Sequence, residues 1–170
     1  METPREVVSP QAIAERIREV GAEISANYAG KELVLVGMLK GAAVFLADLL
    51  RAIDGRVRFE LVNVNQQRDG RGEIIELSYA TQVHINGVHA LILKDICHSG
   101  VTENYLVTHL AQQQPASIEL AAVVDKPMMR RVNLEPKYVV IKNSPEGRLV
   151  GYGMEYEGQW GNLPGIHMLS

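Results

Sequence analysis

Long apolar runs recur along this chain and predict the strands of a buried sheet. The segments LVLVGML (33–39), HALILKDI (89–96) and IELAAVVDK (118–126) are almost continuously apolar, which is typical of parallel strands covered on both faces. VRFELVNV (57–64), in which apolar and polar residues alternate, and KYVVIKN (137–143) also predict strands.

Segments with apolar residues at helical spacing lie between these strands. The segment 11–28 follows Ser9 and Pro10, which suit the N-cap and the first turn of a helix. The segments 42–53 and 106–114 also predict helices. The alternation of strands and helices predicts an α/β fold, an open parallel sheet with helices on both faces. Ligands of such sheets bind beyond the carboxyl ends of the strands.

Two parts of the chain fit this alternation less directly. NQQRDGRGE (65–73) is polar and contains glycine, which predicts a loop, whereas EIIELSYATQV (73–83) predicts one strand or a bent pair of short strands. The tail, 151–169, is rich in glycine and aromatic residues. We expect this tail to pack over the end of the sheet, in a small hood formed by the chain ends.

Size and composition narrow the class of protein. The 170 residues, 46% of them apolar, predict a single domain (1–170) with a real core. The net charge is -3 and lysine and arginine form no dense cluster, which argues against a nucleic-acid partner. Cys97 is the one cysteine and cannot form an intrachain disulfide bond. We expect no signal peptide and no membrane span, and therefore a cytosolic location.

Leu39-Lys40-Gly41, at the end of the first buried strand, is the first candidate for ligand chemistry. Glycine lets the backbone approach a ligand closely, and lysine can meet a phosphate as a point charge. The alternative is an ordinary strand-to-helix turn with a solvated lysine, since such short connections are common.

LILKDICHSGVTENY (91–105) is the second candidate, because a buried strand delivers Asp95 to its carboxyl end. The following residues, 98–102, open a helix. Its first N–H groups, with the hydroxyls of Ser99 and Thr102, would form a cradle for a phosphate. The alternative is a capped turn without a ligand, because capping uses the same serine and threonine chemistry.

Two further candidates lie near the C-terminal half of the sheet. Lys126, at a strand end and close to Arg130 and Arg131, could donate to a ring carbonyl; the alternative is a charged surface loop. Glu155 in the tail could serve a metal ion such as Mg²⁺, which takes oxygen ligands and waters. The alternative for that segment is an aromatic-rich strap that closes a core.

Together and in this order, these segments resemble the hypoxanthine phosphoribosyltransferase family over roughly residues 8–169. HALILKDICHSGVTENYL stands where that family carries its phosphoribosyl-pyrophosphate (PRPP) motif, typically VLIVEDIIDTGxTL. The matching segments are 36–53, 89–106, 121–132 and 149–169. The resemblance implies the type I phosphoribosyltransferase fold and a role in purine salvage, in which a purine base attacks the ribose of PRPP and pyrophosphate leaves. It also implies Mg²⁺ and a homo-oligomer, a dimer or tetramer.

By this resemblance, most residues that hold the ligand are retained. Lys40 and Gly41 match the pyrophosphate loop, and Lys126 matches the lysine that contacts the purine carbonyl. Asp95 matches the second acid of the ribose pair, and Glu155 stands at the metal side. Four consecutive residues match the family's binding site for the 5′-phosphate: Ser99, Gly100, Val101 and Thr102.

The sequence differs from the family pattern at positions that take part in catalysis in that family. Lys94 replaces the first acid on the ribose side, beside Asp95. At ~4 Å, a unit-charge repulsion is roughly 1–4 kcal/mol and doubles against a divalent ion. His98 replaces the aspartate that takes the purine proton, although histidine can act as a base near neutrality. The resemblance therefore places catalysis on His98 and Asp95.

Other departures concern the flap, the base and the pyrophosphate. The family has a mobile flap, a loop rich in serine, glycine and threonine that carries a Ser-Tyr pair. This loop aligns with 65–73, which lacks the pair. Ser78-Tyr79 is too close in sequence to the strand of Asp95 to be that pair. The stacking aromatic aligns with Arg148, next to Leu149 on the base side, and the pyrophosphate-side arginine aligns with Gly161. Three hypotheses follow: a transferase of weakened or altered activity, an inactive homologue that binds a purine nucleotide in a regulatory role, and a remnant domain kept for protein partners.

Overall fold

A computed structural model describes residues 3–69, 72–79 and 83–170, and the side chains of 66–73 are not described. Within this part of the chain, nine strands and three helices form, with one 3₁₀ turn. In chain order they are β1 (Arg5–Val8), α1 (Pro10–Asn27), β2 (Leu33–Leu39), α2 (Ala43–Ala52), β3 (Val57–Asp69), β4 (Gly72–Tyr79), β5 (His89–Cys97), α3 (Val101–Ala111), β6 (Ser117–Asp125), the 3₁₀ turn (Pro127–Met129), β7 (Tyr138–Ile141), β8 (Arg148–Val150) and β9 (Ile166–Leu169).

The main sheet has the strand order β4-β3-β2-β5-β6-β7, and all neighbours in it are parallel except β3 and β4. Alternate residues of β2 enter two separate cores. Leu35 packs with Ile13 and Phe45 on the face covered by α1 and α2. Val36 packs with Leu106 on the face covered by α3. The predicted α/β class, with helices on both faces of an open sheet, is confirmed.

Helix α1 begins where the sequence predicts. The Ser9 hydroxyl accepts a hydrogen bond from the Ala12 N–H at 3.2 Å, and Pro10 occupies the first turn. No helix in the described ranges combines the length and the apolar character needed to cross a membrane.

The loop predicted for 65–73 is wrong over the residues that the structure describes there. β3 continues to Asp69 and pairs antiparallel with β4, from Val62 opposite Tyr79 to Asp69 opposite Gly72. Backbone pairing at an edge of the sheet does not require apolar side chains, so polar composition is a poor guide there. Asp69-Gly70 between two runs is itself a hairpin signal in the sequence.

The chain ends form a second, three-stranded antiparallel sheet with the order β1-β9-β8. This sheet is the predicted hood, although the strand at Arg5–Val8 was not expected from the sequence. The tail that precedes β9 reaches the carboxyl end of β2, since a Cβ atom at Gly153 would lie 2.7 Å from the Gly41 carbonyl oxygen. The hood therefore closes the edge of the main sheet at which the candidate residues gather.

Candidate functional site

The candidate site is a cleft at the carboxyl ends of β2, β5 and β6. Three cavities of about 270, 440 and 640 Å³ open there, and His98 lines all three. Lys94 lines the two smaller cavities, and Lys126 lines the largest. Because the cavities share wall residues, most of the predicted site residues border one cleft. Four of them do not line these cavities: Lys40, Gly41, Gly100 and Val101.

The loop 97–102 joins β5 to α3 in a conformation that needs glycine. Gly100 is the N-cap of α3 with φ of 75°, and a Cβ atom there would lie 2.9 Å from Val132 Cγ2. The Ser99 hydroxyl accepts a hydrogen bond from the Val101 N–H at 3.3 Å, as in a capped turn. The first N–H groups of a helix have no intrahelical acceptor and carry its positive dipole end. The loop is therefore suited to an anion, as well as capped locally.

Arg130 holds this loop against β6. Its guanidinium donates to the His98 carbonyl oxygen at 2.9 Å and also contacts the Cys97 sulfur and the Asp125 carboxylate. The Arg130 side chain is only 12% exposed, so the charged surface loop weighed from the sequence is wrong for this residue. Burial raises the pKa of Cys97 to about 11, so its thiol stays neutral near pH 7.

Lys94 and Asp95 are neighbours on β5, yet their charged groups converge. Lys94 Nζ lies 3.1 Å from Asp95 Oδ1 and 3.9 Å from Glu103 Oε1. Burial lowers the pKa of Lys94, but the carboxylates of Asp95 and Glu103 more than offset this effect, and its pKa lies above the ordinary value. Lys94 is therefore an ammonium ion on the wall of the cleft.

Glu103 is a residue of the site that the sequence interpretation missed. It is 2% exposed, and its Oε2 accepts a hydrogen bond from the Thr102 hydroxyl at 3.0 Å. The Thr102 hydroxyl, predicted to hold a phosphate, donates to this carboxylate in the structure. An acid in the first turn of a helix is usually a solvated partner of the dipole, so the sequence offers little sign that Glu103 is buried.

Gly41 permits the position of Asp95. A Cβ atom at Gly41 would lie 1.9 Å from Asp95 Oδ2 and 2.4 Å from its Cγ. The sequence predicts that a ligand approaches the backbone at Gly41, whereas in the structure the Asp95 carboxylate makes this close approach. The peptide bond between Leu39 and Lys40 is cis.

Lys40 and Glu155, predicted for the pyrophosphate and for a metal, form an ion pair with each other. Lys40 Nζ lies 2.6 Å from Glu155 Oε2, and the lysine side chain is 77% exposed. A Cβ atom at Gly161 would lie 2.7 Å from Glu155 Cγ. The side chain of Glu155 can therefore occupy this position only because residue 161 is a glycine. Any larger residue at 161 would displace Glu155.

The predicted base-side residues surround the two larger cavities. Lys126 Nζ donates to the Pro145 carbonyl oxygen at 2.9 Å. Arg148 lies over the Tyr156 ring, 3.8 Å from its centroid, and the neighbouring Leu149 is buried. Met129, which was not predicted, lines both cavities. Both cavities combine apolar side chains such as Met129 with several charged and polar ones, and such polar groups can fix the orientation of a small molecule.

His98 is a neutral imidazole near pH 7. Burial lowers its pKa, and the neighbouring Lys94 ammonium lowers it further. A neutral ring can accept a proton, so the replacement for the expected aspartate keeps the capacity of a base.

The residues present do not fit a magnesium ion. Mg²⁺ requires carboxylate oxygens, usually one or two beside waters and ligand phosphates. The resemblance places Glu155 at the metal side and Asp95 at the ribose side, and lysines 40 and 94 already pair with them. In the described part of the chain, no group of three or more histidine, cysteine, aspartate or glutamate residues could hold a metal ion.

The flap expectation for 65–73 concerns side chains that, beyond Asn65, lie outside the described residues. It stays a prediction from the sequence.

The chain is similar in sequence to known phosphoribosyltransferases. The family model described as "Phosphoribosyl transferase domain" matches residues 5–157. A hypoxanthine-guanine phosphoribosyltransferase of Streptococcus pneumoniae (strain ATCC BAA-255 / R6) is 33% identical over 165 residues, which cover 96% of this chain and 91% of the relative. The chain spans only 25% of the "Bifunctional protein TilS/HprT" of Listeria innocua, with 34% identity over 165 residues, 96% of this chain.

A solved structure shows the same architecture. The crystal structure of a hypoxanthine-guanine phosphoribosyltransferase from Bacillus anthracis, with a HEPES molecule in its active site, superposes with a TM-score of 0.90. It is 28% identical in sequence, and the match covers 99% of this chain and 98% of the solved one.

Proposed function

This chain belongs to the hypoxanthine-guanine phosphoribosyltransferase family, and on that premise we propose that it binds PRPP and a purine base or nucleotide in the cleft around His98 and transfers the phosphoribosyl group slowly. One observation carries this proposal. Arg130 donates to the His98 carbonyl oxygen and so holds the loop 97–102, and the Lys94 ammonium lines the same cleft, on the side that we assign to the ribose.

Each part of the cleft has a task in this proposal. The loop 97–102 holds the 5′-phosphate through backbone N–H groups at the start of α3. The purine enters the largest cavity, where Lys126 can turn from the Pro145 carbonyl oxygen toward the ring carbonyl. His98 accepts the proton that the purine nitrogen loses as it attacks the ribose carbon. Asp95 lies beside Lys94 on the ribose side.

Lys94 gives the physical reason for slow transfer. The transition state resembles an oxocarbenium ion, so positive charge develops on the ribose as pyrophosphate departs. At ~4 Å, repulsion by a unit charge costs roughly 1–4 kcal/mol, which corresponds to roughly a fivefold to a thousandfold loss in rate. The ground state of an anionic ligand does not suffer this repulsion, so binding survives better than turnover.

An inactive homologue that binds a purine nucleotide in a regulatory role is the second candidate. The pairing of both Asp95 and Glu155 with lysines favours it, since these pairs neutralise the two acids predicted to support the reaction.

Steady-state turnover tests the proposed function. With PRPP, Mg²⁺ and either hypoxanthine or guanine, we expect measurable transfer below about 1 s⁻¹, which is slow for an enzyme. The release of pyrophosphate measures the rate, and the thermal unfolding midpoint with inosine monophosphate (IMP) measures binding in the same preparation. A ligand at ~100 times its Kd adds about 2.7 kcal/mol of stability.

The outcomes separate the hypotheses. Turnover well above about 1 s⁻¹ would contradict the weakened activity. A thermal shift without turnover would establish the nucleotide-binding homologue. The absence of both would leave the remnant domain, and the proposed function would be wrong.

A further inference from the structure

Lys94 and Glu103 form a pair of opposite charges in the interior of the cleft wall. Glu103 is 2% exposed, and the Lys94 side chain is 25% exposed and lines the two smaller cavities. A buried carboxylate needs a partner, because an unpaired charge away from water is strongly unfavourable. Among the described residues, Lys94 at 3.9 Å and the Thr102 hydroxyl at 3.0 Å are its polar contacts.

Both of these positions carry a different charge from the motif that the chain resembles. The motif has a glutamate at the position of Lys94 and a leucine at the position of Glu103. The cation on the strand is therefore accompanied by an acid one helical turn into α3, and the structure brings the two together. Glu103 without Lys94 would be a buried carboxylate with no cation beside it, so the acid depends on the lysine.

Lys94 lies between two parts of the cleft. One smaller cavity joins it to Ser99 and Thr102 of the loop 97–102, and the other joins it to Glu155, the partner of Lys40. An ammonium group has three N–H donors, and the carboxylates of Asp95 and Glu103 can take two of them. A phosphorylated ribose that spans the two smaller cavities would pass directly over this cation.

We propose that the Lys94 ammonium, anchored by Asp95 and Glu103, is the built-in cation of this site and that PRPP binds to it without a divalent metal ion. The inference rests on the proposed function, since it concerns the ligand of the same cleft. It follows from the poor fit of the cleft to Mg²⁺: each acid near the ligand already has a lysine partner.

Calorimetric titration of PRPP in a chelator and in Mg²⁺ tests this inference. For the unaltered chain, we expect affinities within about threefold of each other in the two conditions, because the cation is part of the protein. In the double variant Lys94→Glu/Glu103→Leu, which restores the pattern of the motif, binding in the chelator should become weaker than in Mg²⁺ by on the order of tenfold or more.

Two further variants control for folding and for charge. Lys94→Met/Glu103→Leu removes the cation together with its buried partner Glu103 and leaves Asp95, whose side chain is 20% exposed, without its lysine. It should lose affinity in both conditions. Lys137→Glu makes the same change of charge at the amino end of β7, where Lys137 pairs with Glu119 at 3.3 Å. Its titrations should match those of the unaltered chain. Thermal unfolding of each variant shows whether it is folded.

Titration with IMP distinguishes failure of the proposed function from failure of the proposed metal-free binding of PRPP. If neither PRPP nor IMP binds in any condition, the proposed function itself fails. If IMP binds but PRPP needs Mg²⁺ for tight binding to the unaltered chain, the built-in cation is wrong. The same conclusion follows if the Lys94→Glu/Glu103→Leu variant is folded and binds PRPP equally in chelator and in Mg²⁺.

Discussion

Replacement of Arg130 by methionine is expected to cost about 3 kcal/mol of the free energy of unfolding and to weaken nucleotide binding. The Arg130 guanidinium pairs with Asp125, and the two side chains are 12% and 19% exposed. Removal of one partner from a buried pair typically costs about 3–5 kcal/mol, because the other charge is left without compensation. The remaining exposure of Asp125 places the expected value at the lower end.

The effect on binding has a separate cause. Arg130 also donates to the His98 carbonyl oxygen at 2.9 Å and contacts the Cys97 sulfur, so its loss frees the loop 97–102 from β6. Denaturant unfolding measures the stability, and titration with IMP measures the affinity. Arg131→Met is the matched control, since Arg131 is exposed and a change there should stay within about 0.5 kcal/mol. Equal stability of the two variants would contradict the role of Arg130.

Replacement of Gly41 by alanine is expected to displace Asp95 and to reduce PRPP affinity by on the order of tenfold, with a loss of about 1–3 kcal/mol in stability. The new methyl group would lie 1.9 Å from Asp95 Oδ2 and 2.4 Å from its Cγ, so the carboxylate must rotate away. That rotation separates Asp95 from Lys94, now 3.1 Å apart. Calorimetry with PRPP and thermal unfolding measure the two effects.

A double-mutant cycle with Asp95→Ala identifies the cause. If the clash with the carboxylate is responsible, Gly41→Ala should cost less stability in the Asp95→Ala background than in the unaltered chain. The coupling energy between close residues is then roughly 0.5–3 kcal/mol. Additive effects would mean that the glycine is needed for another reason.

Much of the fold was predictable because its signals are local and repeated. The apolar run of β2 predicts burial on both faces, and Leu35 and Val36 do enter opposite cores. Ser9 and Pro10 predict the start of α1. The strand β1 was missed because REVV at Arg5–Val8 is short, half polar and stabilised only by its pairing with the distant β9.

The sequence predicts several residues of the candidate site, but it does not predict which of their side chains contact each other. The motif resemblance brings His98 and Lys126 to one cleft, and the structure places them in the wall of one cavity. The contact of Lys40 with Glu155 spans 115 positions in the chain. The burial of Glu103 depends on how α3 packs. Neither property has a signature within a short stretch of sequence.

A comparison of IMP with inosine, which lacks the phosphate, tests most directly whether this cleft is a nucleotide site. The ligands differ only in the group that the loop 97–102 is proposed to hold. Hydrogen bonds to a charged group contribute about 1.5–3 kcal/mol each, so two of them predict at least about a hundredfold tighter binding of IMP. Calorimetric titration of the unaltered chain should therefore show saturable binding of IMP that PRPP displaces, with inosine at least about a hundredfold weaker. Equal affinities for IMP and inosine, or no binding of IMP, would contradict a phosphate-binding loop at 97–102.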